Sequence, residues 1–236
     1  MKNTILKFTS LLLAIFFSCN DTDGINKDKT GKILQNQWGF NSLSGWTDGS
    51  QNMDGLKNYA IQGDTLRIFT RPNTWDRPKV HTQTNQYTRG LYRWRIYVPE
   101  MGEGDMASIG AFIYYDDQHE LDFEIGYGTA VDRKQVNAAP DELLVFMTSQ
   151  HFPYKSVFKT IKANKWYNFD LDLNIINGKY EVTWLIDGIE KNKLALLYGE
   201  EIPFYIFCSV ENLKFLGDHI PNEENYALFD YVSFYQ

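Results

Sequence analysis

Three acidic residues alternate along one short segment, His119-Glu120-Leu121-Asp122-Phe123-Glu124-Ile125-Gly126. In an extended strand successive side chains point to opposite faces. Glu120, Asp122 and Glu124 therefore share one face, and Leu121, Phe123 and Ile125 share the other. The apolar face is what a packed β-layer buries, so the acids look outward or into a cleft. Positions i and i+4 of a strand lie ~13 Å apart at Cα, from a rise of ~3.3 Å per residue. Two glutamates leaning together bring their carboxyls to ~5–6 Å. That is near the ~5–5.5 Å at which one carboxylate attacks an anomeric carbon while the other protonates the leaving oxygen. Asp122, between them, is placed to hydrogen-bond the nucleophile. Three neighbouring carboxyls do not all ionise cheaply, so at least one is expected to hold a raised pKa, as a general acid requires. Chance alone produces Glu-x-Asp-x-Glu about 0.05 times in such a chain, and any three acids at that spacing about 0.5 times. The triad takes its meaning from the chain around it.

That chain reads as strands. From about residue 34 the apolar period is two, and no amphipathic helix is expected. Over 166–175, Phe169, Leu171, Leu173 and Ile175 alternate with Asn168, Asp170, Asp172 and Asn174. Asn177-Gly178 then supplies the left-handed dihedrals of a tight hairpin turn. The return strand carries Tyr180, Val182, Trp184 and Ile186 on one side, and Asp187-Gly188 turns the chain again. Similar runs occupy 65–70, 90–98, 108–115, 120–125, 143–152 and 227–235, separated by Gly, Asn, Asp and Pro clusters. Ten or so strands without helices predict an all-β, two-sheet antiparallel β-sandwich over 34–236, as a single domain.

Composition removes several classes of function. The 236 residues carry a net charge of −7, against the basic footprint that nucleic-acid binding needs. Two cysteines build no disulfide scaffold. His81, His119, His151 and His219 show no HExxH or Cys/His ligand spacing, so no catalytic transition metal is expected. There is no Gly-rich phosphate loop and no Gly-x-Ser-x-Gly elbow in a strand–helix context. The aromatic fraction is high at 16%, and most of it falls in alternating strands, where it furnishes a sandwich core.

The amino terminus reads as an export signal. Lys2 and Lys7 precede the apolar run 11–17, which is too short to span a bilayer comfortably. The run ends at Ser18-Cys19, resembling a bacterial lipobox in which the cysteine carries lipid. The reading is a signal peptide over 1–18, lipidation at Cys19 and a flexible polar tether over 19–33. It places the protein in a bacterium, lipid-anchored at the outer membrane or cell surface or in the periplasm. An ordinary cleaved signal with an incidental cysteine is the alternative.

The surrounding blocks resemble a family. Glu120-Leu-Asp122-Phe-Glu124 is similar to the signature of family 16 glycoside hydrolases, which include lichenases, laminarinases and xyloglucan-active enzymes. Upstream, the block from Tyr87 through Gly90, Tyr92 and Arg93 to Pro99 resembles a strand of that family. So does the aromatic run 108–115 that leads into the acidic strand. Downstream, the stretch from Lys165 to Asp187-Gly188 and the closing Phe229-Asp230-Tyr231-Val232 resemble two more of its blocks, in the family's order. The resemblance implies a concanavalin-like β-jelly roll and a retaining, endo-acting hydrolase of β-linked polysaccharide, of β-1,3 or β-1,4 glucan type. It makes Glu120 the nucleophile, Glu124 the acid/base and Asp122 the assisting carboxylate. It requires no cofactor, although Asp230 sits where members often hold a structural calcium.

Substrate contacts are expected from Tyr114 and Phe152 by stacking and from Thr148, Gln150 and Arg95 by hydrogen bonding. Trp75, Tyr115 and Tyr127 are further stacking candidates. The chain departs from the family pattern in its cleft. The stretch before the catalytic strand lacks tryptophan, Arg93 stands where several relatives carry a substrate-contacting Glu, and 210–217 offers Phe215 where lichenases supply a Trp platform. A non-catalytic, cell-surface glycan-binding lipoprotein on the same fold therefore stays open beside the hydrolase. Either is expected to act as a monomer.

Overall fold

The computed structural model describes residues 26–236. The expected signal peptide, Cys19 and the first part of the tether lie outside the described residues. The chain runs β1 (Leu34–Trp38), β2 (Trp46–Asp48), β3 (Tyr59–Gln62), β4 (Thr65–Thr70) and β5 (Lys79–Thr82). It continues through β6 (Gly90–Val98), β7 (Ala107–Asp116), β8 (His119–Gly126), α1 (Ala130–Val136) and β9 (Glu142–Ser149). It ends with β10 (Lys155–Lys162), β11 (Lys165–Ile176), β12 (Lys179–Ile186), β13 (Ile189–Ala195), β14 (Tyr205–Asn212) and β15 (Asn225–Tyr235).

These strands form two antiparallel sheets. One has eight strands in the order β13-β12-β11-β6-β15-β4-β3, with β1 added on β15, and the other has seven, β10-β9-β8-β7-β14-β5-β2. The period-two pattern explains how they pack. Leu121, Phe123 and Ile125 of β8 are fully buried, as are Phe169, Leu171 and Leu173 of β11 and Val182 and Trp184 of β12. Phe123 meets Phe169 edge-on across the interior at 5.2 Å between ring centroids. Each such side chain contributes roughly 1.5–3 kcal/mol when removed from water. Asn177 and Gly178 adopt φ of 52° and 77°, and Asp187 and Gly188 adopt 50° and 75°, as tight hairpins demand.

Two buried tryptophans tie the sheets together through polar atoms. Trp94 Nε1 donates to the Phe207 carbonyl and Trp184 Nε1 to the Asp122 carbonyl, both at 2.9 Å. A buried indole N–H left unpaired would cost ~1–3 kcal/mol, so these bonds also lock β14 and β8 against the opposite sheet.

Two expectations are corrected here. A helix does form: α1 is capped by Thr129, whose side chain accepts from Asp132 N at 3.2 Å, and Asn137 closes it in the left-handed region. Seven residues without an apolar stripe give almost no periodic signal. Residues 26–33, read as part of the tether, are bonded to the sandwich. Ile33 and Gln236 exchange two backbone hydrogen bonds of 2.9 Å, and Lys32 pairs with Asp172 of β11.

Candidate active site

Register decides what shares a face with the triad. Pairs across an antiparallel ladder project to the same side. Glu120, Asp122 and Glu124 of β8 stand opposite Tyr114, Phe112 and Gly110 of β7, which in turn face Tyr205, Phe207 and Ser209 of β14. Phe207 and Ser209 pair with His81 and Lys79 of β5. On the other flank, Asp122 faces Thr148 of β9, and Glu124 faces Phe146. These rows share one face of the seven-stranded sheet, where Glu120, Asp122, Glu124, Phe112, Phe207 and Lys79 line a cleft of about 610 Å³. The apolar residues between them point into the core, so one alternation serves packing on one side and chemistry on the other.

Each carboxyl of the triad is fixed differently. Asp122 is fully buried; its Oδ2 accepts from Gln150 Nε2 at 2.9 Å, and its Oδ1 has no partner among the described residues. Glu124 is buried and accepts from Ser108 Oγ. Glu120 is half-buried at the outer end of the row. Gly110 keeps the floor open beside Glu124, since a Cβ there would lie 2.3 Å from Ser209 Oγ.

Removal from water drives all three pKa values up. For Glu120 the largest cause is desolvation, followed by the charges of Asp122 and Glu211, with Lys79 opposing. For Asp122 desolvation again dominates, while the hydrogen bonds from Gln150 and Thr148 oppose it. Glu124 is raised well above an ordinary glutamate by desolvation, then by Asp122 and Glu211, while the hydrogen bond from Ser108 opposes the rise. The strand thus holds fewer negative charges than carboxyls.

The structure brings most of the expected contact residues together. Tyr114, Thr148 and Gln150 line the cleft with the triad. Tyr114 donates its hydroxyl to Asp117 Oδ1 at 2.9 Å, and Thr148 Oγ1 bonds Ser156 Oγ at 2.9 Å. Phe152 does not line the cleft. Strand β9 ends at Ser149, so alternation no longer governs residue 152; its ring stacks on His151 at 4.0 Å. Arg95 lies on β6 of the other sheet, with its guanidinium 5.7 Å from the Trp166 ring centroid. Its neighbour Arg93 grips Asp170 with two bonds of 2.7 and 2.8 Å. Trp75, Tyr115 and Tyr127 also stand away from the cleft, and Tyr127 packs under the Arg133 guanidinium.

Sequence reasoning missed the β5 and β14 flank. Phe112 and Phe207 stack at 4.6 Å and 11°, and His81 continues the stack at 4.8 Å from Phe207. Beside them, Glu211 is bridged to Arg77 and Lys79, at 2.7 Å each. The alternation Arg77-x-Lys79-x-His81 was the available signal, but only strand order brings it beside β8. Asp230 is half-buried at a bulge in β15. Among the described residues no three His, Cys, Asp or Glu side chains gather as a metal site.

No protein-family model matches the sequence, and no curated protein matches it. Solved structures do match in fold. One belongs to work on endo-acting O-glycanases that members of the human gut microbiota use to initiate mucin breakdown, with TM-score 0.61 and 10% identity, covering 86% of this chain and 98% of that one. A Bacillus licheniformis β-glucanase gives 0.60 and 14%, over 85% and 97%. A GH16 protein from the mixed linkage glucan PUL of Bacteroides ovatus, solved with its product, gives 0.58 and 11%, over 84% and 99%. The chain therefore has a two-sheet jelly-roll sandwich like that of these structures, one of which is described as a GH16 protein.

Proposed function

We propose that the protein is a retaining, endo-acting hydrolase of a β-linked polysaccharide, of β-1,3 or β-1,4 glucan type. The observation that carries this reading is the position of Glu120, Asp122 and Glu124 together on the floor of a cleft, where desolvation favours a protonated Glu124. Glu120 attacks the anomeric carbon and forms a glycosyl–enzyme ester as the glycosidic C–O bond breaks. Glu124 gives its proton to the departing oxygen, and then accepts one from the water that cleaves the ester and frees Glu120. Lys79 opposes the rise at Glu120, which favours the ionised nucleophile, while Glu124 is held neutral. Asp122 orients Glu120 from the centre of the row. The stacked faces of Phe112 and Phe207 offer an apolar floor to a sugar ring. The fold neighbours, which include a β-glucanase and a protein of a mixed-linkage-glucan PUL, support a polymeric β-glycan as the substrate.

In the same reading the domain acts as a monomer held to a bacterial membrane by lipid on Cys19, at the outer membrane, the cell surface or in the periplasm. The test of activity is reducing-end release from a panel of defined β-glycans by wild type and Glu120→Gln. The expected result is release by wild type and a loss of at least ~10³-fold in the variant. Release from none of them, with the same glycans retarding the protein in affinity gels, would leave a glycan-binding lipoprotein on this fold.

A further inference from the structure

Glu211 lies in the cleft outside the triad, and the hydrolytic reading assigns it no part. Its side chain is 3% exposed, and one oxygen, Oε2, accepts from both Arg77 Nε and Lys79 Nζ at 2.7 Å. Lys79 is itself buried, and its remaining contact is Gln51 Oε1 at 3.4 Å. Paired in this way, the Glu211 carboxyl is fixed in position between two cations.

Register carries that charge toward the acid/base. β14 pairs with β7 so that Glu211 stands opposite Ser108, and the Ser108 hydroxyl donates to Glu124 Oε2. Ser108, Glu211 and Glu124 are all buried. Hydrogen bonds join Ser108 to Glu124 and Lys79 to Glu211, and register sets Ser108 beside Glu211, so the four side chains lie in a row across β8, β7, β14 and β5. We propose that Glu211 is a positioning residue for the acid/base: clamped by Arg77 and Lys79, its negative charge favours the protonated form of Glu124 and offsets the Ser108 hydroxyl, whose donation to Glu124 favours the ionised form.

The other groups facing Glu124 do not supply this charge in its place. On its own strand are Glu120 and Asp122, which share protons with it. From β7 come Tyr114 and the Ser108 hydroxyl, and the turn after β7 brings Asp117, which is exposed. β9 presents Phe146 and Thr148, which do not titrate. β5 and the residues before it bring the cations Arg77 and Lys79, and His81. The opposite face of β8 packs into the apolar core. Glu211 also ranks, after desolvation and Asp122, among the causes that raise Glu124.

The role of Glu124 as acid rests on the hydrolase reading, whereas the charge relation does not, so two readouts separate them. The first is the pH profile of kcat/KM. Activity falls as pH rises through the pKa of the acid, so Glu211→Gln moves that alkaline limb down by on the order of one pH unit. Lys79→Met moves it up by a similar amount, with Arg77 left to pair with Glu211. Damage to the fold would not produce shifts of opposite sign. The second readout is the carboxyl ¹³C titration of Glu124 by NMR in wild type and both variants, with Glu124→Gln for assignment. It is expected to shift in the same two directions whether or not any glycan is cleaved. If glycans are cleaved and neither the limb nor the Glu124 titration moves in either variant, the proposal is overturned. Lys79→Met keeps the test decisive if Glu211→Gln does not fold.

Discussion

Replacing Asp122 with Asn should stabilise the protein at neutral pH while impairing hydrolysis. Asp122 is fully buried in the middle of the acidic row, and its pKa is pushed from an ordinary 3.8 up to about 7, chiefly by desolvation. That is a rise of about three pH units, at ~1.4 kcal/mol each, or an upper bound of ~4 kcal/mol. The sign follows from linkage. The folded state binds this proton more tightly than the unfolded state, so stability is complete below about pH 4. It declines between about pH 4 and pH 7 and is level above that. Asn carries no charge and keeps an oxygen for the Gln150 Nε2 bond, so it avoids that decline. Because the carboxyls of the row share protons, about half the bound is expected, ~2 kcal/mol at pH 8. For a domain of this size that raises Tm by about 4–8 °C. The assay is thermal unfolding of wild type and Asp122→Asn between pH 4 and pH 8. The two should coincide near pH 4, diverge between about pH 4 and pH 7, and keep a constant gap above that. Equal Tm values at pH 8, or a gap of the same size at pH 4 and pH 8, would refute the reasoning.

Other substitutions separate structural charges from those of the cleft. Arg93→Met leaves Asp170 buried without its two hydrogen bonds and should cost about 3 kcal/mol in denaturant unfolding, with kcat/KM unchanged. Arg95→Ala, on the outer surface of the other sheet, should alter neither; a fall in kcat/KM for either variant would place that sheet at the substrate. Cys19→Ser should move the protein from the membrane fraction to the soluble fraction when cells are fractionated, and unchanged membrane association would argue against the lipid anchor.

The acidic strand was legible because one local rule, alternation, specifies both of its faces. Leu121, Phe123 and Ile125 had to be buried together, which left the three acids together. The hairpins at Asn177-Gly178 and Asp187-Gly188 were legible for a similar reason, since the turn chemistry is confined to two residues. The far flank of the cleft was not. β14 lies between β7 and β5 although it follows β7 by some ninety residues, so no local pattern announces that Glu211 and Lys79 will meet the triad. Arg93 and Arg95 were correctly assigned to one face of one strand, but alternation does not say which sheet or which surface that face belongs to. Phe152 falls outside the cleft lining because the strand stops three residues earlier, beyond which a period of two has no geometric meaning. Thr129 and Asp132 carried a capping signal for α1, too brief to stand against the surrounding strands.

The central claim is that Glu120 and Glu124 act as nucleophile and acid/base across one glycosidic bond. The most direct test is ¹H NMR of the anomeric protons during the first minutes of cleavage of a β-glycan oligosaccharide. The β-anomer appearing first, with the α-anomer following only by mutarotation, is the result predicted for a retaining pair on one strand face. The α-anomer appearing first would contradict the account, because it requires a water between two carboxyls held further apart.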